Sequence, residues 1–277
     1  MTMTPFARIA STAVVILAAQ AGRVQAEDAA ALLARAPAIT LDEALVPLTA
    51  PVEIAQAGWG PFRRLCVAQT LLRPSDGGEV AAAPPTCFGV EEATEENGTW
   101  RLSLRAELGG GAPEIRVGVT RDATGHFGPV TVSLPEGLPP LPAQQVGRLQ
   151  AVLQAALQAH SMERTTIAPG TAFVIPLPIG GLGSNMHVAG GGFACTPDGQ
   201  GAIGRRPVII AACNTTLSAE VSPGRAMHIT AAGRFAIDIQ TGMILRHGYG
   251  SFLVMDADPS GSMGPTEMRG VSRQSLE

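Results

Sequence analysis

The sequence predicts a mainly β fold, β-rich α+β, in which a curved antiparallel sheet packs on one amphipathic helix. Three observations carry this prediction. Short apolar runs alternate with polar residues at a period of two, glycine-bearing turns separate them, and one stretch alone carries a strong helical stripe.

The N-terminus comes first in the chain and is read separately. Arg8 supplies a positive n-region, Ala10 to Ala19 an apolar core, and Val24-Gln25-Ala26 the small residues before a cleavage site. Residues 1–26 are therefore expected to be a signal peptide, giving an exported protein of the periplasm or the medium. The apolar run is about half the ~20 residues needed to cross a bilayer, and no later segment is long and apolar enough, so the cleaved chain is not expected to span a membrane. Residues 27–50 read as a lead, helical or disordered, and 51–277 as the β-rich domain.

Arg63 to Leu72 is the first apolar run, and the Pro/Gly/Ala-rich stretch Pro74 to Pro85 after it reads as a loop. Glu91, Glu92, Glu95 and Glu96 read as a solvated loop before Asn97-Gly98. Three alternating segments follow: Trp100 to Leu108, Glu114 to Arg121 and Pro129 to Leu134. In the first, Trp100, Leu102 and Leu104 share one face and Arg101, Ser103 and Arg105 the other, as a half-buried strand requires. Asp122-Ala123-Thr124-Gly125 forms a turn.

Pro142 suits a helix start, and residues 143–161 form the helix. Val146, Leu149, Leu153, Leu157 and His160 make its stripe, while Gln144, Gln150, Gln154 and Gln158 occupy the rest. Prolines demote Phe173 to Pro178 to an edge strand. Gly180 to Gly192 is a glycine-rich loop. Further strands are expected at Pro207 to Cys213, Leu217 to Val221, Ala226 to Ala231, Arg234 to Gln240, Met243 to His247 and Ser251 to Met255. In the fourth, Phe235, Ile237 and Ile239 face in, and Arg234, Asp238 and Gln240 face out. Both halves of the domain, 51–138 and 165–277, run from a cysteine pair to an aspartate–threonine–glycine turn, which would fit two half-repeats joined by the helix.

Cys66, Cys87, Cys195 and Cys213 form two local pairs without C-x-x-C spacing. An even count in an exported chain points to disulfides. Of three possible connectivities, Cys66–Cys87 with Cys195–Cys213 is favoured, each closing a loop worth on the order of 3 kcal/mol.

Composition excludes several functions. All 19 basic residues are arginine, which removes Schiff-base lysines and phosphate-loop lysines. A net charge of −4 and an aromatic content of 4% argue against nucleic-acid binding. The sequence holds no H-E-x-x-H and no G-x-S-x-G, so a non-catalytic protein is expected. Met186-His187, Met227-His228 and Met243 pose a copper question that core packing answers as well. Residues 256–267 fit the twelve-residue calcium-loop template, with Asp256, Asp258 and Ser260 as oxygen ligands, glycine at the sixth position, the carbonyl of Ser262 and a bidentate Glu267. Calcium is the one cofactor the sequence suggests, although Pro259 and Pro265 depart from the pattern and the upstream flank reads as a strand.

Strands, one amphipathic helix (Ala143 to Ser161), the Pro169-Gly170 and Phe173 to Leu177 segment, then hairpins from Ala226 to Met255: this layout resembles bacterial periplasmic lipoprotein carriers. The resemblance covers the last two thirds and carries no specific motif; that family's arginine latch finds no matching position. It implies a curved sheet or half-barrel around a helical plug and a non-catalytic carrier of a small apolar or amphiphilic ligand. The cavity would be lined by Val146, Leu149, Leu153, Leu157, Phe235, Ile237 and Ile239. A mean hydropathy of +0.21 without an assembled polar site fits such a protein. An envelope module with a filled core that binds a partner protein fits as well.

Overall fold

The computed structural model describes residues 28–55, 58–73, 78–82, 85–107, 114–135, 137, 142–176, 187–189, 191–222, 225–257 and 264–276. Residues 1–26, expected to be a signal peptide, lie outside them. The fold is mainly β. Two helices are described, α1 (Ala29–Arg35) and α2 (Ala143–Gln158), and neither is long and apolar enough to cross a membrane.

The first half of the large sheet comprises β2 (Arg64–Leu72), β3 (Glu79–Ala82), β4 (Thr86–Glu96), β5 (Thr99–Glu107), β6 (Ile115–Arg121) and β7 (Thr131–Ser133). The second comprises β9 (Phe173–Pro176), β10 (His187–Ala189), β11 (Gly192–Ile203), β12 (Arg206–Ser222), β13 (Arg225–Asp238), β14 (Ile244–Met255) and β15 (Thr266–Leu276). Their order is β7-β6-β5-β4-β2-β15-β14-β13-β12-β11-β9, with β3 on β2 and β10 on β12. A separate two-stranded ribbon pairs β1 (Val52–Ile54) with β8 (Thr165–Ile167). The ladder between β2 and β15, from Leu65 opposite Leu276 to Leu72 opposite Arg269, joins the halves into one continuous sheet. The sheet does not close, because β7 and β9 each end the order.

Leu102, Leu104 and Val117 from one flank and Val208, Ile210 and Ala236 from the other share one core with Leu153 and Leu157 of α2. A second core, with Ile209, Phe235 and Ile237, lies on the opposite face of β12 and β13 beneath Ile54 and Ile167 of the β1–β8 ribbon. Strands β12 to β14 are thus covered on both faces and not on one. Asp238, expected outside, is fully buried; it pairs with Arg206 and accepts from the backbone N–H groups of Gln240 and Thr241 at 2.8 and 2.9 Å.

Several expected breaks are absent. The two runs at 207–213 and 217–221 form one strand, β12, and the same holds for β13 and β14. The acidic stretch Glu91–Glu96 is strand rather than loop; Glu96 meets Arg101 of the neighbouring β5, and Glu91 reaches past β5 to Arg116 of β6. Asn97 and Gly98 turn the chain with φ of 53° and 77°, the left-handed pair that suits a tight hairpin. The half-repeat idea is only partly matched. Both disulfides join directly opposed residues, Cys66–Cys87 between β2 and β4 and Cys195–Cys213 between β11 and β12. Two further strands separate the first from its turn, however, and one separates the second.

Between those turns runs the segment after α2. The N–H of Ile244 donates to the His160 carbonyl, that of Met162 to the Gly242 carbonyl, and that of Arg164 to the Thr124 carbonyl. The Ser161 hydroxyl donates to Gly125 O at 3.1 Å. This segment fixes the end of the helix, and with it His160, against β14.

Candidate functional site

A cleft opens where the N-terminal lead crosses the sheet. Asp28 caps α1 by accepting from the Ala31 N–H at 2.7 Å, and residues 36–46 continue as a strap. The strap is held by backbone bonds between Val46 and Gln200 and from Asp42 to Ala202, and by the Asp42 carboxylate accepting from the Arg205 N–H at 3.1 Å. Gly248 permits its passage: a Cβ there would lie 2.2 Å from the Pro37 carbonyl oxygen. No larger residue leaves room for the crossing.

Beneath Pro37–Thr40 lies a volume of about 670 Å³, inside the ~300–1,000 Å³ range of small-molecule sites. Its walls are mixed. Pro37, Ile39, Ala68, Pro85 and the Cys66–Cys87 disulfide supply apolar surface, while Arg64, Glu107, Arg246 and Arg273 supply charge. Arg64 donates to Glu107 at 2.6 Å, and Arg105 also faces Glu107 at 3.5 Å. Arg246 donates to the Thr40 carbonyl at 2.8 Å, which anchors strap to sheet. Arg273, exposed on β15, meets no acidic partner among the described residues.

The residues expected from the sequence to line a cavity do not line this cleft. Leu153 and Leu157 are core residues, and Leu149 packs on the same cluster; Val146 is half-buried. Phe235 and Ile237, with Ile239 beside them, belong to the other cluster. The two sets belong to two separate buried clusters. The helix glutamines are also more than solvent decoration. Gln158 accepts from the Phe127 N–H at 2.9 Å, and Gln154 donates to its carbonyl at 3.5 Å.

A polar island sits inside the fold. His160 and His247 stack with ring centroids 6.4 Å apart, and His247 contacts Ser272 Oγ at 3.2 Å and the Phe235 and Tyr249 rings. Gln274 donates to the Ile244 carbonyl at 2.6 Å. Burial lowers His160 to about 4, with the nearby Gln274 amide acting the other way. Burial, then the neighbouring His160, lowers His247 to about 3. Both rings are neutral at pH 7, so the island is uncharged.

A serine–histidine–aspartate alignment and two of the sequence motifs lie elsewhere on the sheet. Ser218 Oγ contacts His228 Nδ1 at 2.9 Å, and His228 Nε2 lies 3.8 Å from Asp256. The order of groups is that of a hydrolytic triad, but Ser218 sits in a ladder paired to Ala189 on one side and His228 on the other. Such a ladder spends its backbone donors on sheet bonding and offers no pair for a developing oxyanion. Of the calcium-loop residues, Asp256 accepts from the Ala226 N–H at 3.2 Å and Glu267 stands in β15 opposite Val254. Asp258, Ser260 and Ser262 lie outside the described residues, as does most of the glycine-rich loop. Met243 is buried in the helix-side core and stands apart from His228, which is exposed on β13; Met186 lies outside the described residues. Among the described residues no cluster of three or more histidine, cysteine or acidic side chains is poised for a metal.

Sequence reasoning missed Arg246 and Arg273. The available signal was Arg246 beside Gly248-Tyr249-Gly250, where alternate glycines on one face mark a surface approached closely by other backbone. No family model and no curated protein matches this sequence.

Proposed function

We propose that the chain is an exported, non-catalytic protein of the periplasm or the medium that binds a small apolar or amphiphilic ligand in the cleft beneath the strap. The observation that carries this reading is the combination of a ligand-sized space, apolar walls and a few charged side chains. Two disulfides suit an oxidising compartment, and the signal-like first 26 residues supply the route. The carrier-like layout gives the reading further support: an open antiparallel sheet with a helix against its core.

The ligand would sit between strap and sheet, not between helix and sheet. Native mass spectrometry of protein purified from its host compartment, followed by solvent extraction, tests this. Recovery of a small amphiphile supports the reading. A clean apo mass, with no uptake of the neutral fluorophore N-phenyl-1-naphthylamine, removes it. The filled helix-side core favours a second reading, an envelope module that binds a partner protein. That reading predicts partner capture without any small-molecule uptake.

A further inference from the structure

We propose that the cleft selects an anionic amphiphile: one carboxylate or phosphate headgroup held by Arg246 and Arg273, with the apolar chain along the disulfide wall. This rests on the cleft being the binding site.

The argument starts from register. Arg246 stands opposite Ser275, and Gly248 opposite Arg273. The two arginines are therefore diagonal neighbours on one face of β14 and β15, about 7–8 Å apart at the backbone and within reach of each other's long side chains. Like charges placed this way repel each other. Elsewhere around the strap this sheet neutralises its arginines: Arg64 and Arg105 share Glu107, and Arg234 pairs with Asp198 at 3.1 Å. Arg246 is bonded to a neutral carbonyl, and neither it nor Arg273 meets a carboxylate among the described residues.

This positive charge is a local excess, because the chain as a whole carries −4. The Thr40 carbonyl accepts from one edge of the Arg246 guanidinium, at Nη1, and so orients it. An oriented guanidinium keeps donors in the planar fork that suits carboxylate and phosphate oxygens. Opposite Arg273 the residue is glycine, so no side chain competes for that donor set. Pro37, Ile39, Ala68 and Pro85 border the same space and would cover an alkyl chain.

The test is isothermal titration of the mature protein with dodecanoate, dodecyl phosphate and dodecanol, each below its aggregation threshold. At least one anion is expected to bind ten-fold or more tighter than dodecanol, and the stronger of the two identifies the headgroup. Arg273→Gln and Arg246→Gln should each weaken anion binding about ten-fold and leave dodecanol unchanged. Arg148→Gln, on the exposed face of α2, should change nothing. If dodecanol binds as tightly as the anions, or if Arg148→Gln costs as much as Arg273→Gln, headgroup recognition is overturned while the cleft stands. If none of the three binds, the cleft itself is not a ligand site.

Discussion

Arg121 Nη2 donates to the Thr241 carbonyl oxygen at 2.6 Å, tying the end of β6 in the first half to the turn after β13 in the second. The same guanidinium donates to Ser161 Oγ at 2.9 Å and to Gly58 O at 3.1 Å. Its side chain is 1% exposed and lies over the Phe127 ring. Burial lowers it to about 10, with Asp122 opposing, so it remains charged at neutral pH. One residue thus joins both turns to the segment that anchors the helix.

Replacing Arg121 with alanine leaves two carbonyls and a hydroxyl without this donor in the interior. Each such group costs roughly 1–3 kcal/mol, so Arg121→Ala should destabilise by at least about 3 kcal/mol. Urea unfolding would report this as a lower midpoint. Arg121→Lys keeps the charge but cannot reach three acceptors, and should fall between.

Acid should weaken the fold through the His160–His247 island. Both folded-state values, about 4 and about 3, lie below the ordinary 6.5. The unfolded chain then binds more protons than the folded one between those limits, so stability is fully present above pH 6.5. It falls progressively as pH drops toward 3. Thermal melting between pH 7.5 and 4 should show a declining midpoint, and His247→Phe should flatten the decline. A midpoint independent of pH in wild-type protein would contradict the buried pair.

Each disulfide ties directly opposed residues of neighbouring strands and closes a local loop, with sequence separations of 21 and 18. Their loss is expected to cost about 3 kcal/mol each by loop entropy. Removing Cys66–Cys87 should also alter the cleft, whose wall it forms, whereas removing Cys195–Cys213 should not. Paired serine variants, compared by melting and by probe uptake, separate the two effects.

The readable parts of this chain were those where hydrophobic period and turn chemistry agree. β5 and β6 alternate cleanly, α2 carries a narrow stripe, and the edge position of β9 follows from its prolines. β15 went unread because its inward positions include Ser272 and Gln274, which are buried but polar and leave no apolar period. β11 was hidden by Pro197 and Gly199 at a bulge. The long strands β12 to β14 looked broken because Asn214-Thr215-Thr216 interrupts the first, Ala232-Gly233 the second and Gly248-Tyr249-Gly250 the third. Gly248 and Gly250 mark where Pro37 and Leu32 approach the sheet, and Gly233 leaves room for Tyr249 of the paired strand. The cleft could not be read locally at all, since it exists only where residues 37–40 cross strands two hundred positions away.

The central claim is that this crossing makes a binding site, and Ala68→Trp tests it most directly. Ala68 lines the cleft on β2, so an indole there fills the space without touching the helix-side core. Titration of N-phenyl-1-naphthylamine should show saturable uptake by the wild type and none by the variant, at matching melting temperatures. Equal uptake by both proteins would place any ligand elsewhere and contradict the account.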